Sequence, residues 1–197
     1  MKVEIEGKTS REASMDLAKF LRLFRVRLVT QGVRATFWWL FNVFNRLVLD
    51  RPIREQCEIT PHLFVGAQFR QGGWRILERW GIRGVINLRA EFDDRQLGLD
   101  FPAYLHLPTV DDAAPSLEDL QAGVEFYRQI KNEGGKVYIH CGAGVGRAPS
   151  MAAACLISEG LTPSQAWAKI RQVRIFIRLT RVQQEQIERF AERLSQQ

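Results

Sequence analysis

The sequence predicts an α/β domain preceded by a helical N-terminal segment, and two observations lead to this fold class. Between residues 63 and 139, short apolar runs of strand length alternate with longer segments whose apolar residues recur at helical spacing. After residue 149, the apolar pattern has helical period. Alternation of this kind is typical of a sheet covered by helices. We therefore divide the chain into an N-terminal segment, residues 1–54, and a globular domain, residues 55–197.

The first element is an amphipathic helix with a basic polar face. Its apolar residues recur at helical spacing from residue 17 to residue 28, and Lys19 and Arg22 fall opposite to them. The apolar stripe consists of Leu17, Phe20, Leu21, Phe24 and Leu28. A basic amphipathic helix is typical of proteins that lie on a membrane surface.

A second apolar stretch, residues 35–45, lies between Arg34 and Arg46 and contains two tryptophans. Its 11 residues are too few to cross a bilayer, which needs about 20, and a span through Arg34 would bury a charge. We therefore expect residues 17–49 to bind the interface of an anionic membrane, with the tryptophans at headgroup level. The alternative is a helical hairpin that packs on the globular domain.

The globular domain contains short apolar strands and longer amphipathic helices. The predicted strands are residues 63–65, 84–88, 104–107 and 136–139. The predicted helices are residues 73–80, 116–131, 149–159, 163–173 and 181–194. Ser116 is a typical N-cap for the second of these helices.

A glycine-rich loop joins the last predicted strand to a buried helix. Its residues are His140, Cys141, Gly142, Ala143, Gly144, Val145, Gly146 and Arg147. Such a loop directs backbone N–H groups toward a helix N-terminus and can bind an anion. The helix end and Arg147 favour the thiolate form of Cys141, which makes this residue a candidate nucleophile. The guanidinium of Arg147 can hold two phosphate oxygens in the transition state.

Other glycine-rich loops fit this spacing less well. A dinucleotide-binding fingerprint needs a third glycine where this chain has Arg147. A nucleotide P-loop ends in Gly-Lys-Ser/Thr, whereas this loop ends in Gly146-Arg147-Ala148. The three cysteines lie far apart and the three histidines form no ligand pair, so we expect neither a metal nor another cofactor.

The pattern of His140 and Cys141, five further residues and Arg147 resembles the active loop of the Cys-dependent protein tyrosine phosphatase superfamily. Residues 58–190 resemble its dual-specificity branch, and residues 107–111 and 168–178 are also similar to the mitochondrial phosphatidylglycerophosphate phosphatase group. The resemblance implies a central, mostly parallel sheet with helices on both faces. It also implies that residues 140–147 bind the phosphate of a monoester, which is hydrolysed through a phosphocysteine without a metal.

This reaction needs a proton donor for the leaving oxygen, and the candidates are Asp111 and Asp112. Both follow a predicted strand and precede a predicted helix, so we expect them on a loop. Asp111 lies 30 residues before Cys141, the separation that the family resemblance implies for the acid. Asp111 is therefore favoured, and Asp112 is the alternative.

The family resemblance also implies roles for the positions of Ala148, Arg174 and Arg178. Ala148 stands where many members of the family carry Ser or Thr, whose hydroxyl stabilises the departing thiolate, so slow breakdown of the phosphocysteine is expected. The likeness to the lipid phosphatases suggests Arg174 or Arg178 as a contact for a glycerophosphate headgroup. The alternative for both arginines is a solvated helix end.

Positive charge is concentrated near the N-terminus. Residues 1–55 hold 11 Lys and Arg against six Asp and Glu, which accounts for +5 of the total charge of +6. Because the arginines alternate with bulky apolar residues, they are not typical of a nucleic-acid-binding patch, and no nucleic-acid partner is expected. Three cysteines without a framework spacing indicate a reducing compartment. We expect a cytoplasmic protein that is peripheral at the membrane.

Three functions remain open at this point. The first is a dual-specificity phosphatase that acts on phosphorylated Tyr, Ser or Thr of a protein, and this interpretation is favoured. The alternative is the same chemistry on a membrane phospholipid such as phosphatidylglycerophosphate. A second alternative is a non-catalytic phosphate-binding module, which the joint presence of Cys141, Arg147 and Asp111 disfavours. The uncharged Gly142 and Val145 argue against a multiply phosphorylated inositol headgroup.

Overall fold

The computed structural model describes residues 17–98 and 101–196, which form a five-stranded sheet with helices on both faces. The strands are β1 (Glu58–Thr60), β2 (Leu63–Ala67), β3 (Ile82–Arg89), β4 (Ala103–Thr109) and β5 (Lys136–Cys141). The helices are α1 (Leu17–Leu47), α2 (Gln71–Arg79), α3 (Leu117–Asn132), α4 (Arg147–Ile157), α5 (Pro163–Val173) and α6 (Arg181–Ser195). Two short 3-10 helices span Arg54–Gln56 and Asp94–Leu97.

The sheet has the strand order β1-β2-β5-β3-β4, and only β1 runs antiparallel to its neighbour. The predicted α/β fold with a mostly parallel sheet is therefore confirmed. Strand β5 lies at the centre, with Ala67 of β2 opposite Cys141 and Asn87 of β3 opposite His140. This register places Cys141 at the carboxyl end of the central strand, the edge at which parallel α/β sheets bind their ligands.

The two faces of the sheet bury separate apolar clusters, because successive side chains of β5 point to opposite sides. Val137 and Ile139 pack in the larger cluster, together with residues of α3, α4, α5 and α6. Tyr138 packs in the smaller cluster beside Trp74 and Leu77 of α2. Every residue of α4 is buried, most of them in the larger cluster, so the active loop that precedes this helix has a rigid support.

The predicted elements are present, with small shifts of their ends. Each predicted strand lies inside an observed one, and the added strand β1 is only three residues long, too short to show a period of two. Helix α4 begins at Arg147 instead of residue 149. Pro149 is tolerated there because a residue in the first helical turn has no intrahelical partner for an N–H group.

Helix α1 is a bent element whose two halves fold back on each other. Gly32 interrupts its helical backbone with φ 79° and ψ 174°, a conformation that suits glycine. The rings of Phe20 and Trp39 stack with their centroids 5.6 Å apart. In a straight helix these residues would be separated by about 28 Å. The segment after Gly32 therefore returns along the segment before it.

One face of α1 packs on the globular domain through polar contacts. The Arg27 guanidinium donates to the carbonyl of Phe176 at 2.8 Å, and the Gln31 amide donates to the carbonyl of Ile177 at 2.8 Å. Asn42 donates to Gln56 at 3.1 Å. These are the contacts expected of the hairpin alternative. In the part of the chain that the structure describes, no helix has the length and apolar character needed to cross a bilayer.

Candidate active site

The active loop consists of residues 141–146, between the end of β5 and the start of α4. Gly144 has a φ of 68°, and a Cβ atom at this position would lie 2.3 Å from the carbonyl oxygen of Gly66. Both facts require glycine at this point of the loop. The resulting turn brings the backbone N–H of Gly144 to 3.3 Å from the sulfur of Cys141, where it donates to the sulfur.

Donors outside the loop hold three of its carbonyl groups. The carbonyl of Gly142 accepts from Arg46, that of Gly144 from Arg174 at 3.1 Å, and that of Val145 from the backbone N–H of Arg178 at 2.8 Å. In a trans peptide the N–H of the following residue points away from the carbonyl. When the carbonyls are bound on the outside, the following N–H groups point toward the interior of the loop, as anion binding requires.

The guanidinium of Arg147 is 2% exposed and bound on one side by protein acceptors. It donates to the carbonyl of Thr109 at 2.8 Å, to Glu91 at 2.9 and 3.0 Å, and forms an ion pair with Asp111 at 2.9 Å. Its Nε atom is buried and has no hydrogen-bond partner. A buried charged donor without a partner is costly, so this nitrogen is a candidate ligand for a substrate oxygen.

Glu91 is the main anionic partner of Arg147. Its two carboxylate oxygens accept from two different nitrogens of Arg147, and one of them also accepts from Arg89 at 2.9 Å. Partial burial by itself raises the pKa of Glu91, but the hydrogen bonds from Arg147 and Arg89 outweigh it and lower the pKa to about 2. Glu91 is therefore ionised at neutral pH and orients the guanidinium by a bidentate contact.

The structure distinguishes the two candidate acids by their positions. The Asp111 carboxylate reaches Arg147 and is 80% exposed, so it lies at the mouth of the loop. Asp112 adopts a φ of 61°, and its backbone carbonyl accepts from the hydroxyl of Thr180 at 3.0 Å. Its side chain is exposed and makes no ion pair with a described residue. Of the two aspartates, Asp111 is the one that the fold brings to the loop.

His140 lies behind the loop in a buried pair with an acidic residue. Its Nε2 is 2.6 Å from the Asp94 carboxylate, and both side chains are fully buried. The other carboxylate oxygen of Asp94 accepts from Gln68 at 2.6 Å. His140 also stacks on Tyr138, with ring centroids 5.8 Å apart. The predicted binding residue His140 is thus a support for the loop from behind and has no exposed surface.

The other two cysteines are unlike Cys141 in their surroundings. Burial raises the pKa of Cys57 to about 11, with Arg174 opposing it, and burial raises the pKa of Cys155 as well. Both therefore remain thiols at neutral pH. Cys141 alone among the three adjoins the glycine-rich loop and a helix N-terminus.

Ala148 and Ser150, which follow Arg147 in the sequence, bear on the hydrolysis of the phosphocysteine. Ala148 is fully buried in the first turn of α4 and has no hydroxyl. The Ser150 hydroxyl donates to the carbonyl of Gly146 at 3.1 Å. The hydroxyl of Ser150 is thus engaged by the helix backbone, and it does not replace a hydroxyl at position 148 in the described conformation.

The two predictions for Arg174 were both wrong. This residue is neither a headgroup contact nor a solvated helix end, because its side chain is fully buried. Besides Gly144, its guanidinium donates to the carbonyls of Gln56 at 2.6 Å and Val65 at 3.2 Å. Arg174 therefore ties the active loop to β2 and to the segment before β1. Arg178 is exposed, as expected of a residue beyond the end of α5.

Arg46, Glu91 and Asp94 bind Gly142, Arg147 and His140, respectively, and none of the three was predicted from the sequence. A signal was present for two of them. Glu91 and Asp94 follow the strand that the apolar pattern predicts at residues 84–88, and the carboxyl ends of parallel strands meet at one edge of a sheet. No local pattern marks Arg46, which lies 96 residues from its partner Gly142.

Known proteins are similar to this chain in sequence and in overall structure. A family model described as "Polymorphic toxin system, DSP-PTPase phosphatase" matches residues 64–161. The Homo sapiens protein "Phosphatidylglycerophosphatase and protein-tyrosine phosphatase 1" is 31% identical over 154 residues, which are 71% of this chain and 75% of that protein. This chain belongs to the dual-specificity type of Cys-dependent phosphatases.

Two further relatives have names that refer to different classes of substrate. The Mus musculus "Dual specificity protein phosphatase 2" is 30% identical over 112 residues, 55% of this chain and 35% of that protein. The crystal structure of "PTPMT1 in complex with PI(5)P" has a TM-score of 0.62 and 27% identity, covering 70% of this chain and 95% of the other. The enzyme is thus a phosphatase whose relatives carry the names of both protein and lipid phosphatases.

Proposed function

We propose that the phosphatase removes a monoester phosphate from an anionic phospholipid while α1 lies on the membrane surface. Cys141 is the nucleophile, Arg147 and the N–H groups of the loop bind the phosphate, and Asp111 is the general acid. The observation that carries the lipid proposal is an exposed apolar face on a helix that also contacts the active loop.

The chemistry follows from the positions of three side chains. The Cys141 sulfur attacks phosphorus, the bond to the leaving oxygen breaks, and that oxygen takes a proton from Asp111. A water then attacks the phosphocysteine, Asp111 accepts its proton, and the thiolate departs with release of phosphate. The incoming phosphate displaces Asp111 from Arg147 and takes the unpaired Nε, and the released Asp111 carboxylate takes from solvent the proton that it donates to the leaving oxygen.

The exposed face of α1 is apolar along its whole second half. Side chains at helical spacing are exposed here although they are large and hydrophobic. They are Val33 (75% exposed), Phe37 (58%), Phe41 (40%) and Phe44 (50%), and Val48 (62%) continues this row one residue beyond the end of α1. We call these five residues the apolar row. Contiguous apolar surface of this kind is typical of a site that binds a partner protein or a membrane. The charges around the apolar row distinguish these two kinds of site.

Residues 17–49 contain six Lys and Arg and no Asp or Glu. Arg22, Arg25 and Arg34 are exposed. Each arginine near an anionic bilayer contributes up to about 1 kcal/mol of binding. Apolar side chains with exposed cations beside them and no acidic residue fit the interface of an anionic membrane. The human relative named for phosphatidylglycerophosphatase activity and the neighbour crystallised with PI(5)P agree with a lipid substrate.

A phosphoprotein substrate is the second candidate. It is favoured by the exposure of Asp111, because an acid that is 80% exposed at the mouth of the loop can meet the side chain of a protein substrate. The mouse relative is named a dual-specificity protein phosphatase. Both candidates use the same residues, so they differ only in what binds outside the loop.

One comparison of substrates tests the proposal. Phosphate release is measured from phosphatidylglycerophosphate in anionic vesicles and from a phosphotyrosine peptide in solution, with Cys141→Ser as the inactive control. We expect faster turnover of the lipid. The double variant Phe41→Ser, Phe44→Ser should lose vesicle binding and lipid turnover and keep the rate on the peptide.

Val182→Ser serves as a matched control, since Val182 is 52% exposed on α6, outside the apolar row. It should change neither rate. A higher rate on the peptide, or lipid turnover that is unaffected by the double variant, would contradict the lipid proposal and favour the phosphoprotein.

A further inference from the structure

Arg46 connects the membrane-facing helix to the active loop. It lies on the face of α1 opposite the apolar row, and one of its terminal nitrogens donates to the carbonyl of Gly142, the residue after the nucleophile. A guanidinium has five N–H donors, and this is its one hydrogen bond within the described residues. None of its other nitrogens is buried without a partner, so they remain open to a ligand.

The charge of a second arginine, Arg89, acts on Arg46. Burial lowers the pKa of Arg46, Cys141 opposes this effect, and the positive charge of Arg89 lowers the pKa further. Arg89 itself pairs with Glu91 at 2.9 Å, but Glu91 is shared with Arg147. No carboxylate of the described residues lies within ion-pair distance of Arg46.

The carboxylates near the loop are paired with other arginines. Among the described residues, Glu91 pairs with Arg89 and Arg147, and Asp111 pairs with Arg147. When a phosphate takes the place of Asp111 on Arg147, it satisfies that guanidinium and the loop N–H groups. Arg46 is left with free donors and no carboxylate partner among the described residues, which is an arrangement that attracts another anion.

The position of Arg46 along α1 identifies that anion. The three residues that follow it, Leu47, Val48 and Leu49, are 51%, 62% and 52% exposed and apolar. Arg46 thus lies between the loop that binds the monoester phosphate and the surface that meets the acyl chains. In a phospholipid with a terminal monoester, the phosphodiester lies between these same two parts of the molecule.

We infer that Arg46 binds the phosphodiester group of the lipid whose monoester phosphate lies in the active loop. This inference rests on the proposed lipid function and deepens it, because it explains how the enzyme recognises a headgroup with two phosphates. Arg46 is then a specificity-determining residue supplied by the N-terminal segment.

Ligand binding without turnover or bilayer tests the inference. Titration calorimetry on full-length Cys141→Ser protein compares dibutyryl phosphatidylglycerophosphate, which is water-soluble and carries both phosphates, with glycerol 3-phosphate and dibutyryl phosphatidylglycerol. The first ligand should bind at least about tenfold more tightly than either single-phosphate compound, or about 1.4 kcal/mol. Arg46→Gln should remove this advantage by weakening the two-phosphate ligand at least about tenfold more than it weakens glycerol 3-phosphate, and Arg46→Lys should restore part of it.

Arg34→Gln is the matched control, since Arg34 is an exposed arginine of the same helix, and it should change neither affinity. Equal weakening of all ligands by Arg46→Gln would overturn the inference and make Arg46 a support of the loop only. Unchanged affinities, or no preference for the two-phosphate compound, would also overturn it. Failure of vesicle turnover with intact two-phosphate recognition would instead refute the proposed function alone.

Discussion

Replacing Glu91 by glutamine tests whether a carboxylate outside the loop orients the catalytic arginine. In the folded protein both oxygens of Glu91 accept from Arg147, and one also accepts from Arg89. A glutamine keeps the shape but offers a single acceptor oxygen. Its NH₂ group then faces a guanidinium nitrogen, and these two groups cannot form a hydrogen bond because both are donors. The variant therefore loses one charge-assisted contact and weakens the rest.

The size of the effect follows from the lowered pKa and the exposure of the group. A change from the ordinary value of 4.5 to about 2 corresponds at face value to about 3 kcal/mol of stabilisation by the ionised form. Because Glu91 is 43% exposed, solvent screens the interaction, and we expect about 1–2 kcal/mol. Loosening of Arg147 should lower kcat/KM on an aryl phosphate by on the order of 10- to 100-fold.

The stability effect has a defined pH dependence. Since the pKa of Glu91 is lower in the folded state, its contribution is fully present above the ordinary value of 4.5 and is lost as the pH falls toward about 2. The free energies of unfolding in urea of wild type and Glu91→Gln should therefore differ at pH 7, and the difference should shrink between about pH 5 and pH 3.

Glu185→Gln, at an exposed ion pair of α6, is the control and should change stability by less than about 0.5 kcal/mol. Equal stability of Glu91→Gln and wild type at pH 7, or a difference that does not vary with pH, would refute this account.

Three further predictions concern residues of the same site. Asp111→Asn should slow hydrolysis of alkyl phosphates by about 10²–10⁴ and affect aryl esters with good leaving groups less, with Asp112→Asn as the control; the reverse pattern would exchange their roles. Ala148→Ser should raise steady-state turnover and reduce a burst of product in rapid-mixing experiments, whereas linear release in both proteins would show that breakdown of the phosphocysteine does not limit the rate. Arg174→Met should destabilise the fold by about 2–4 kcal/mol in urea, because three buried carbonyls lose their donor. Exposed Arg178→Met should stay within about 0.5 kcal/mol of wild type, and similar values for the two variants would contradict the assigned role of Arg174.

Much of the fold follows from patterns within short segments. The strands are recognisable because their apolar runs are bounded by loop residues, and α5 and α6 are recognisable because Thr162 and Thr180 form capping boxes with residues three positions later. The active loop is recognisable because its glycines, Cys141 and Arg147 lie within one stretch of chain. The position of Asp111 after a strand is equally local, and the parallel sheet carries it to the same edge as Cys141.

Contacts between distant segments depend on the tertiary structure. Arg46 meets Gly142 across 96 residues, Arg147 meets Glu91 across 56, and Arg174 meets Gln56 across 118. Nothing in the residues around Arg174 distinguishes a buried arginine from a solvated one, which is why both expectations for it were wrong. Its burial is set by the packing of three remote segments around its guanidinium.

Some properties of the N-terminal segment are also determined by its sequence, and others only by the tertiary structure. Its sequence alone indicates a basic amphipathic helix followed by an apolar stretch that is too short to span a bilayer, because hydrophobic period and charge are properties of the sequence. Which face packs and which remains exposed was decided by the bend at Gly32 and by the carbonyls of Phe176 and Ile177, which accept from Arg27 and Gln31. A sequence records which side chains can bind or be buried, but only the folded chain brings their partners within reach.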